Sequence, residues 1–310
     1  MGDDPRRAVA ALPFPAGTRA LRPEDGDPIL AAMLACLDAG ELEGVNRHFL
    51  EESASRLREE PWLGAVAVDG GAVAGWVVPL HDDLTVALPF RRRGHGSRLV
   101  QAGRQLAGAD GRSHLRLWVP RRPGPEAFAR ATGMAYDSSL WKLRLDPAVP
   151  QQPATFGDDV VVRWIEAGTD DEAFTELLNT TFLDHPSPLQ VDLATIRRVH
   201  GSREFDPSSI LLVAPAADPD RLIGFCRVGA YHEDDGRLVG EVKHVGVRRE
   251  ARGRGLGREL VRWGIAACRE RDVVDVYLSV EGANANALRL YESLGFRQDV
   301  EWPHWTVPVR

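Results

Sequence analysis

Two stretches of the chain, 161 positions apart, carry the same pattern. In "FRRRGHGSRLV" (Phe90–Val100) and "ARGRGLGRELV" (Ala251–Val261) an arginine is followed by two residues, Gly, one residue and Gly. Arg91, Gly94 and Gly96 thus align with Arg252, Gly255 and Gly257. The flanks agree as well. A strand-like run precedes each turn ("LTVALPF", "EVKHVGV"), and an amphipathic helix, a strand ("HLRLWV", "VVDVYLSV") and a short helix closed by glycine ("AFARATGM", "ALRLYESLGF") follow it. Such a repeat predicts two similar α/β units. "DPAVPQQPATFGDD" (Asp146–Asp159), rich in proline and glutamine and without periodicity, reads as the division between them. The expected domains are residues 1–148 and 159–310, with a linker at 149–158.

Composition agrees and narrows the function classes. A length of 310 residues suits two domains, and 44% hydrophobic with 27% charged residues is ordinary for folded protein. The chain has only two lysines, Lys142 and Lys243, and neither follows a glycine, which excludes a Walker A phosphate loop. A formal net charge of −7 argues against nucleic acid as a partner. Cys36, Cys226 and Cys268 are odd in number and widely spaced, which speaks against a disulfide framework and a zinc site; no metal is expected. The start, "MGDDPRRAVAALPFPAG", has acids ahead of a short apolar run, and no run approaches the ~18 apolar residues of a membrane span. The expectation is a cytoplasmic protein without a membrane partner.

The segment Arg249–Leu260, "REARGRGLGREL", places three glycines and four arginines in twelve residues. A strand running through a glycine turn into a helix aims several N–H groups at one point, at the positive end of the helix dipole. Gly253, Gly255 and Gly257 admit an anion closely, while Arg252, Arg254 and Arg258 add positive charge, so the turn predicts a phosphorylated ligand. A dinucleotide fingerprint needs glycine or alanine where Arg258 stands. In the following helix Leu260, Gly264 and Ala267 share a side with Val261, Ile265 and Cys268; in the next strand Val274, Val276, Leu278 and Val280 share a face. Gly295 sits where a helix C-cap needs a left-handed residue.

The run "VGVRREARGRGLGREL" followed by "NANALRLYESLGF" resembles the acetyl-CoA signature of the GNAT superfamily of acyl-CoA N-acyltransferases, with a weaker copy in the first half. The resemblance implies a mixed α+β fold of two tandem domains, each a mostly antiparallel sheet that splays at its middle strands and is flanked by helices. It implies acetyl-CoA as co-substrate, with pyrophosphate on the amides of Arg252 to Arg258, pantetheine along the strand at Val245 to Val247, and a cofactor contact from Asn284. Arg91, Gly94 and Gly96 are the corresponding positions of the first half. The tandem layout, with "NTTFLDHP", "EFDPSSILLV" and "GEVKHVGV", also resembles the mycothiol synthase family, which acetylates the cysteinyl amine of a glucosaminyl-inositol thiol precursor. "GFCRVGAY" (Gly224–Tyr231) stands where that family leads one to expect a strand containing Trp-Thr-Lys.

Amide formation from an amine and a thioester needs a base for the ammonium proton and an acid for the leaving thiolate. Glu241, opening "GEVKHVGV", is the candidate base and Tyr291, in "RLYESLGF", the candidate acid; a solvated strand-end glutamate and a core tyrosine are the plainer readings. His244, three residues from Glu241, points to the opposite face of a regular strand. In the first half Phe128 falls at the tyrosine position and Leu80 at that of Glu241, with His81, Asp82 and Asp83 nearby, so this half is expected to bind CoA at most. "HEDDG" (His232–Gly236) reads as an acidic hairpin turn. The loop and helix within Asp184–His200, with Trp302 and Trp305, are candidates to line an amine pocket. The expected function is acetyl transfer to the primary amine of a small polar molecule through the C-terminal half, by a monomer or homodimer. A non-catalytic acyl-CoA sensor and an antibiotic or peptide acetyltransferase remain the alternatives.

Overall fold

The computed structural model describes residues 9, 11–183 and 190–310. The chain forms two compact units, one of residues up to Leu140 together with Val300–Arg310, the other of Trp141–Asp299.

In the first unit β1 (Thr18–Ala20), β2 (Ala65–Asp69), β3 (Ala72–Val78) and β4 (Asp83–Val86) form an antiparallel sheet in that order. Strand alternation gives β2 two apolar faces. Val66 packs with Ile29 and Met33 of α1 (Gly26–Asp38) and Leu50 and Leu57 of α2 (Arg47–Glu59), while Ala65 and Ala67 meet Leu99 and Leu106 of α3 (His95–Ala109). The unit continues through β5 (His114–Trp118), α4 (Pro123–Ala131) and the start of β6 (Ala135–Leu145). β5 pairs antiparallel with His304–Pro308 from the end of the chain.

The second unit follows the same plan. β7 (Val160–Trp164), β8 (Ile210–Pro215), β9 (Gly224–His232) and β10 (Leu238–Val247) are antiparallel neighbours, and α7 (Leu256–Arg269) crosses over to β11 (Asp275–Glu281), which runs parallel to β10. β6 lies beside β11, followed by β12 (Phe296–Pro308). One face of the sheet packs against α5 (Asp171–Thr181) and α6 (Leu193–His200) through Phe225, Phe174 and Ile196. The other packs against α7 and α8 (Ala285–Ser293) through Cys226, Val228, Leu260 and Ile265. The predicted face of α7 is buried at all six positions. Gly264 lets α7 approach, since a Cβ there would stand 3.0 Å from Cys226 Sγ. In the next strand Val276, Leu278 and Val280 are buried as expected, but Val274 is exposed because the strand begins after it. Gly295 has φ +97° after α8, and residues 151–157 carry no regular secondary structure.

The repeat extends to a feature that motif spacing did not reveal. Arg19 of β1 makes a two-bonded ion pair with Asp25 before α1, at 2.7 and 2.8 Å, and Arg163 of β7 does the same with Asp170 before α5, at 2.6 and 2.7 Å. Each fixes how the first strand enters the first helix. The second unit adds a buried pair, His200 Nδ1 to Asp171 Oδ1 at 2.7 Å, joining the end of α6 to the start of α5, with the imidazole stacked on Phe205 at 4.4 Å. Removing one partner leaves a buried polar group unsatisfied. Asp171→Ala is expected to lower the stability of the second unit by about 2–3 kcal/mol in urea unfolding; a loss below about 0.5 kcal/mol, the range of ordinary surface changes, would show that the pair contributes little.

Candidate active site

β10 carries a bulge where Lys243 stands. Glu241 pairs with Gly229 and Val242 with Val228, but the next pair is His244 with Arg227. Gly229 and Arg227 lie two apart on β9 and share a face, so Glu241 and His244 share that face as well. This corrects the expectation of opposite faces: one extra residue in the strand restores the phase. Tyr231 lies on the same face, and so does Tyr277 of β11, the register partner of Glu241. His244 meets the Phe182 ring edge-on at 5.9 Å.

The pairing of β10 with β11 covers only Val239–Glu241 against Asp275–Tyr277, after which β10 runs on to Val247 and β11 to Glu281. The strands part, and the β11 side of β10 around Val245 and Val247 faces a gap. Both valines are half-buried against the α7 face. Glu241 and Tyr291 stand on opposite faces of this gap. Burial raises the Glu241 carboxyl above the usual range, opposed by the positive charges of Lys243, Lys142 and Arg227. Tyr291 of α8 packs against the α7-side core and meets the Phe296 ring edge-on at 6.2 Å. Burial pushes its phenol up to about 12, and it couples to the thiol of Cys226, the cross-strand partner of Val245. At neutral pH it is a proton donor.

The glycine turn leads from this gap into α7. Gly253 and Gly255 have φ +79° and +82°, in the left-handed region where a Cβ is strained. No side chain caps the N-terminus of α7, and a Cβ on Gly253 or Gly255 would meet nothing within 4 Å. The N–H groups of Arg258 and Glu259 donate to the carbonyl of Gly255 at 2.9 and 3.3 Å, which leaves those of Leu256 and Gly257 available to an anion. Arg252 turns inward, its Nε donating to the carbonyl of Val247 at 3.0 Å, and Arg254 pairs with Asp159. Arg258 is half-buried in the first turn of α7, beside Gly257. Asn284 caps α8 by accepting from the N–H of Ala287 at 3.2 Å.

The first unit repeats the backbone and changes the charges. Arg91 Nε donates to the carbonyl of Val86 at 3.1 Å, the counterpart of the Arg252 bond, and Gly94 has φ +80°. Arg91 is also held by Glu41 at 2.5 and 2.8 Å, while Arg93 and His95 both bind Asp69. Leu80 is exposed, and the Asp83 carboxyl, raised by burial, accepts from the Trp76 indole at 2.5 Å. Packing moves one assignment. A Cβ on Gly96 would touch Phe128 at 2.9 Å and one on Gly257 would touch Leu290 at 3.8 Å, so Phe128 matches Leu290 and Ala129 takes the place of Tyr291. The first unit lacks the hydroxyl on either alignment.

Other expectations resolve individually. "HEDDG" is the turn between β9 and β10, closed by the N–H of Glu233 on the carbonyl of Arg237 at 2.9 Å. Trp302 and Trp305 belong to the first unit: Trp305 is in its core and the Trp302 indole donates to the carbonyl of Glu43. Asp184–Leu189 lies outside the described residues. Among the described residues no cluster suits a metal and no helix is long and apolar enough to cross a membrane. Motif reading did not find Arg227, Tyr231, Tyr277 and Lys142. The signal was present in the composition, since both of the chain's lysines act on Glu241.

Residues 172–296 match the model of the acetyltransferase (GNAT) family. The mycothiol acetyltransferase of Thermobispora bispora is 35% identical over 298 residues, covering 93% of this chain and 95% of its own. That of Thermomonospora curvata is 34% identical over 292 residues, covering 90% and 94%. A tandem GNAT protein from the clavulanic acid biosynthesis pathway shares the fold, with a TM-score of 0.65 over 94% of this chain and 98% of its own at 21% identity. The chain therefore belongs to the GNAT acetyltransferase family, in its tandem form, and is an N-acetyltransferase.

Proposed function

We propose that the second unit transfers the acetyl group of acetyl-CoA to the primary amine of a small polar acceptor; relatives named mycothiol acetyltransferase support this reading, and the resemblance to the mycothiol synthase family points to a cysteinyl amine on a glucosaminyl-inositol scaffold. The observation that supports this reading most is the parted β10–β11 pair with Glu241 on one face and Tyr291 on the other. The pyrophosphate binds at the uncapped N-terminus of α7, the pantetheine lies along Val245–Val247, and Asn284 contacts the cofactor. Glu241 takes one ammonium proton, the amine nitrogen attacks the thioester carbon, the C–S bond breaks as Tyr291 gives its phenolic proton to the thiolate, and the second proton of the nitrogen leaves to solvent as the amide forms while solvent returns a proton to the phenolate. The amine thus arrives on one side of the sheet and the thiol leaves on the other. The first unit holds a CoA at most, and the protein works in the cytoplasm as a monomer or homodimer.

The test is release of CoA thiol from acetyl-CoA over a panel of amines that includes the cysteinyl glucosaminyl-inositol compound. Turnover with one amine class names the acceptor. Tight acetyl-CoA binding with no turnover on any amine would replace the enzyme reading of this unit by a sensor.

Two variants make the roles specific. Glu241→Gln is expected to lower kcat/KM by about 10²–10⁴-fold with acetyl-CoA affinity unchanged, and Tyr291→Phe to lower kcat by about 10-fold or more. Glu241 must be ionised to act, so wild-type kcat/KM falls as pH drops through a value above that of an ordinary glutamate. Stability runs the other way. A raised folded-state value means the protonated form is favoured by folding, a contribution present at low pH and lost as pH rises through that value. Glu241→Gln should therefore raise stability at pH 7 by about 1 kcal/mol, read as an increase in Tm; a decrease would show that the buried charge is not a folding burden.

A further inference from the structure

Lys142 and His304 hold the same place in the repeat, 162 positions apart, on the last strand of each half. Each lies in the unit built largely from the other half of the sequence, Lys142 within Trp141–Asp299 and His304 within the first unit. Both are buried and both meet a carboxylate: Lys142 Nζ is 3.5 Å from Glu233 Oε1, and His304 Nε2 is 3.4 Å from Asp82 Oδ2. Lys142 Nζ also sits 4.3 Å from the centre of the Tyr277 ring and 6.0 Å from that of Tyr231. Tyr277 is the register partner of Glu241. A buried ammonium is costly unless specifically partnered. Here the partners hold it beside the proposed base.

We propose that Lys142, brought to the second unit by β6 and clamped between the Tyr277 ring and Glu233, is a positioning residue that keeps Glu241 ionised for the entering amine. The proposal rests on the reading of Glu241 as the base. The groups around Glu241 are Lys243 and His244 on its own strand, Arg227 and Tyr231 on β9, Glu233 in the turn after it, Asp275 and Tyr277 on β11, Lys142 on β6 and Cys268 on α7. Of the three cations that act on it, Lys243 stands on the bulge with its exposed side chain laid over Gly229, the register partner of Glu241, and Arg227 is held less favourably as a cation by its burial. Lys142 is the buried one of the two lysines, held between Glu233 and the Tyr277 ring.

The experiment is the pH profile of kcat/KM for CoA release by the full chain, with acetyl-CoA affinity measured in parallel. In Lys142→Met the acid limb should move up by about one pH unit, with the high-pH plateau within about threefold of wild type and acetyl-CoA affinity unchanged; Lys142→Arg should restore the limb. Glu233→Gln leaves the lysine without its counter-charge and should move the limb down, a readout that survives if Lys142→Met does not fold. An acid limb that stays in place in both Lys142→Met and Glu233→Gln while Glu241→Gln is inactive overturns this proposal alone. Full activity of Glu241→Gln overturns the base assignment beneath it.

Discussion

The second unit is organised by the loss of one strand pairing. β10 and β11 are joined by three residue pairs, and beyond Glu241 and Tyr277 they separate. An interior strand that loses its neighbour exposes N–H and C=O groups that must be satisfied some other way. The Arg252 side chain takes the carbonyl of Val247, and the remaining edge faces the gap. The bulge at Lys243 lies just past the last pair and adds local twist. Parting the strands thus lets a sheet, normally a wall, be reached from both faces at one point, with the positive end of α7 at its rim.

What could be read from the sequence was local. The glycine turn, the faces of α7 and the repeat all depend on residues close in the chain, whose period and conformation are set by neighbours. The errors share a different cause. Whether Glu241 and His244 share a face depends on register against β9, and register is a property of two strands. The shift from Phe128 to Ala129 arises because the repeat offset passes from 161 at the turn to 162 at the closing glycine, and packing at Gly96 and Gly257 puts that change before Phe128. Lys142 lies 99 positions before Glu241 and reaches it through sheet order alone.

The two units also separate fold from chemistry. The turn geometry is preserved to the hydrogen bond, Arg91 on Val86 and Arg252 on Val247. Around it the first unit commits Arg91 to Glu41 and Arg93 and His95 to Asp69, and its β4 begins only at Asp83, so Leu80 lies in the preceding turn whereas Glu241 is carried on β10. The scaffold can be copied while its electrostatics are rewritten, because backbone geometry depends on glycines and alternation whereas charge depends on a few side chains.

The assignment of chain segments to units bears on synthesis. Val300–Arg310 supply the strand that pairs with β5 in the first unit. On a ribosome β5 emerges well before its partner, which lies beyond every residue of the second unit. Until then β5 presents an open edge of the kind that invites wrong pairing. The first unit therefore completes its sheet only after the residues of the second unit have been made.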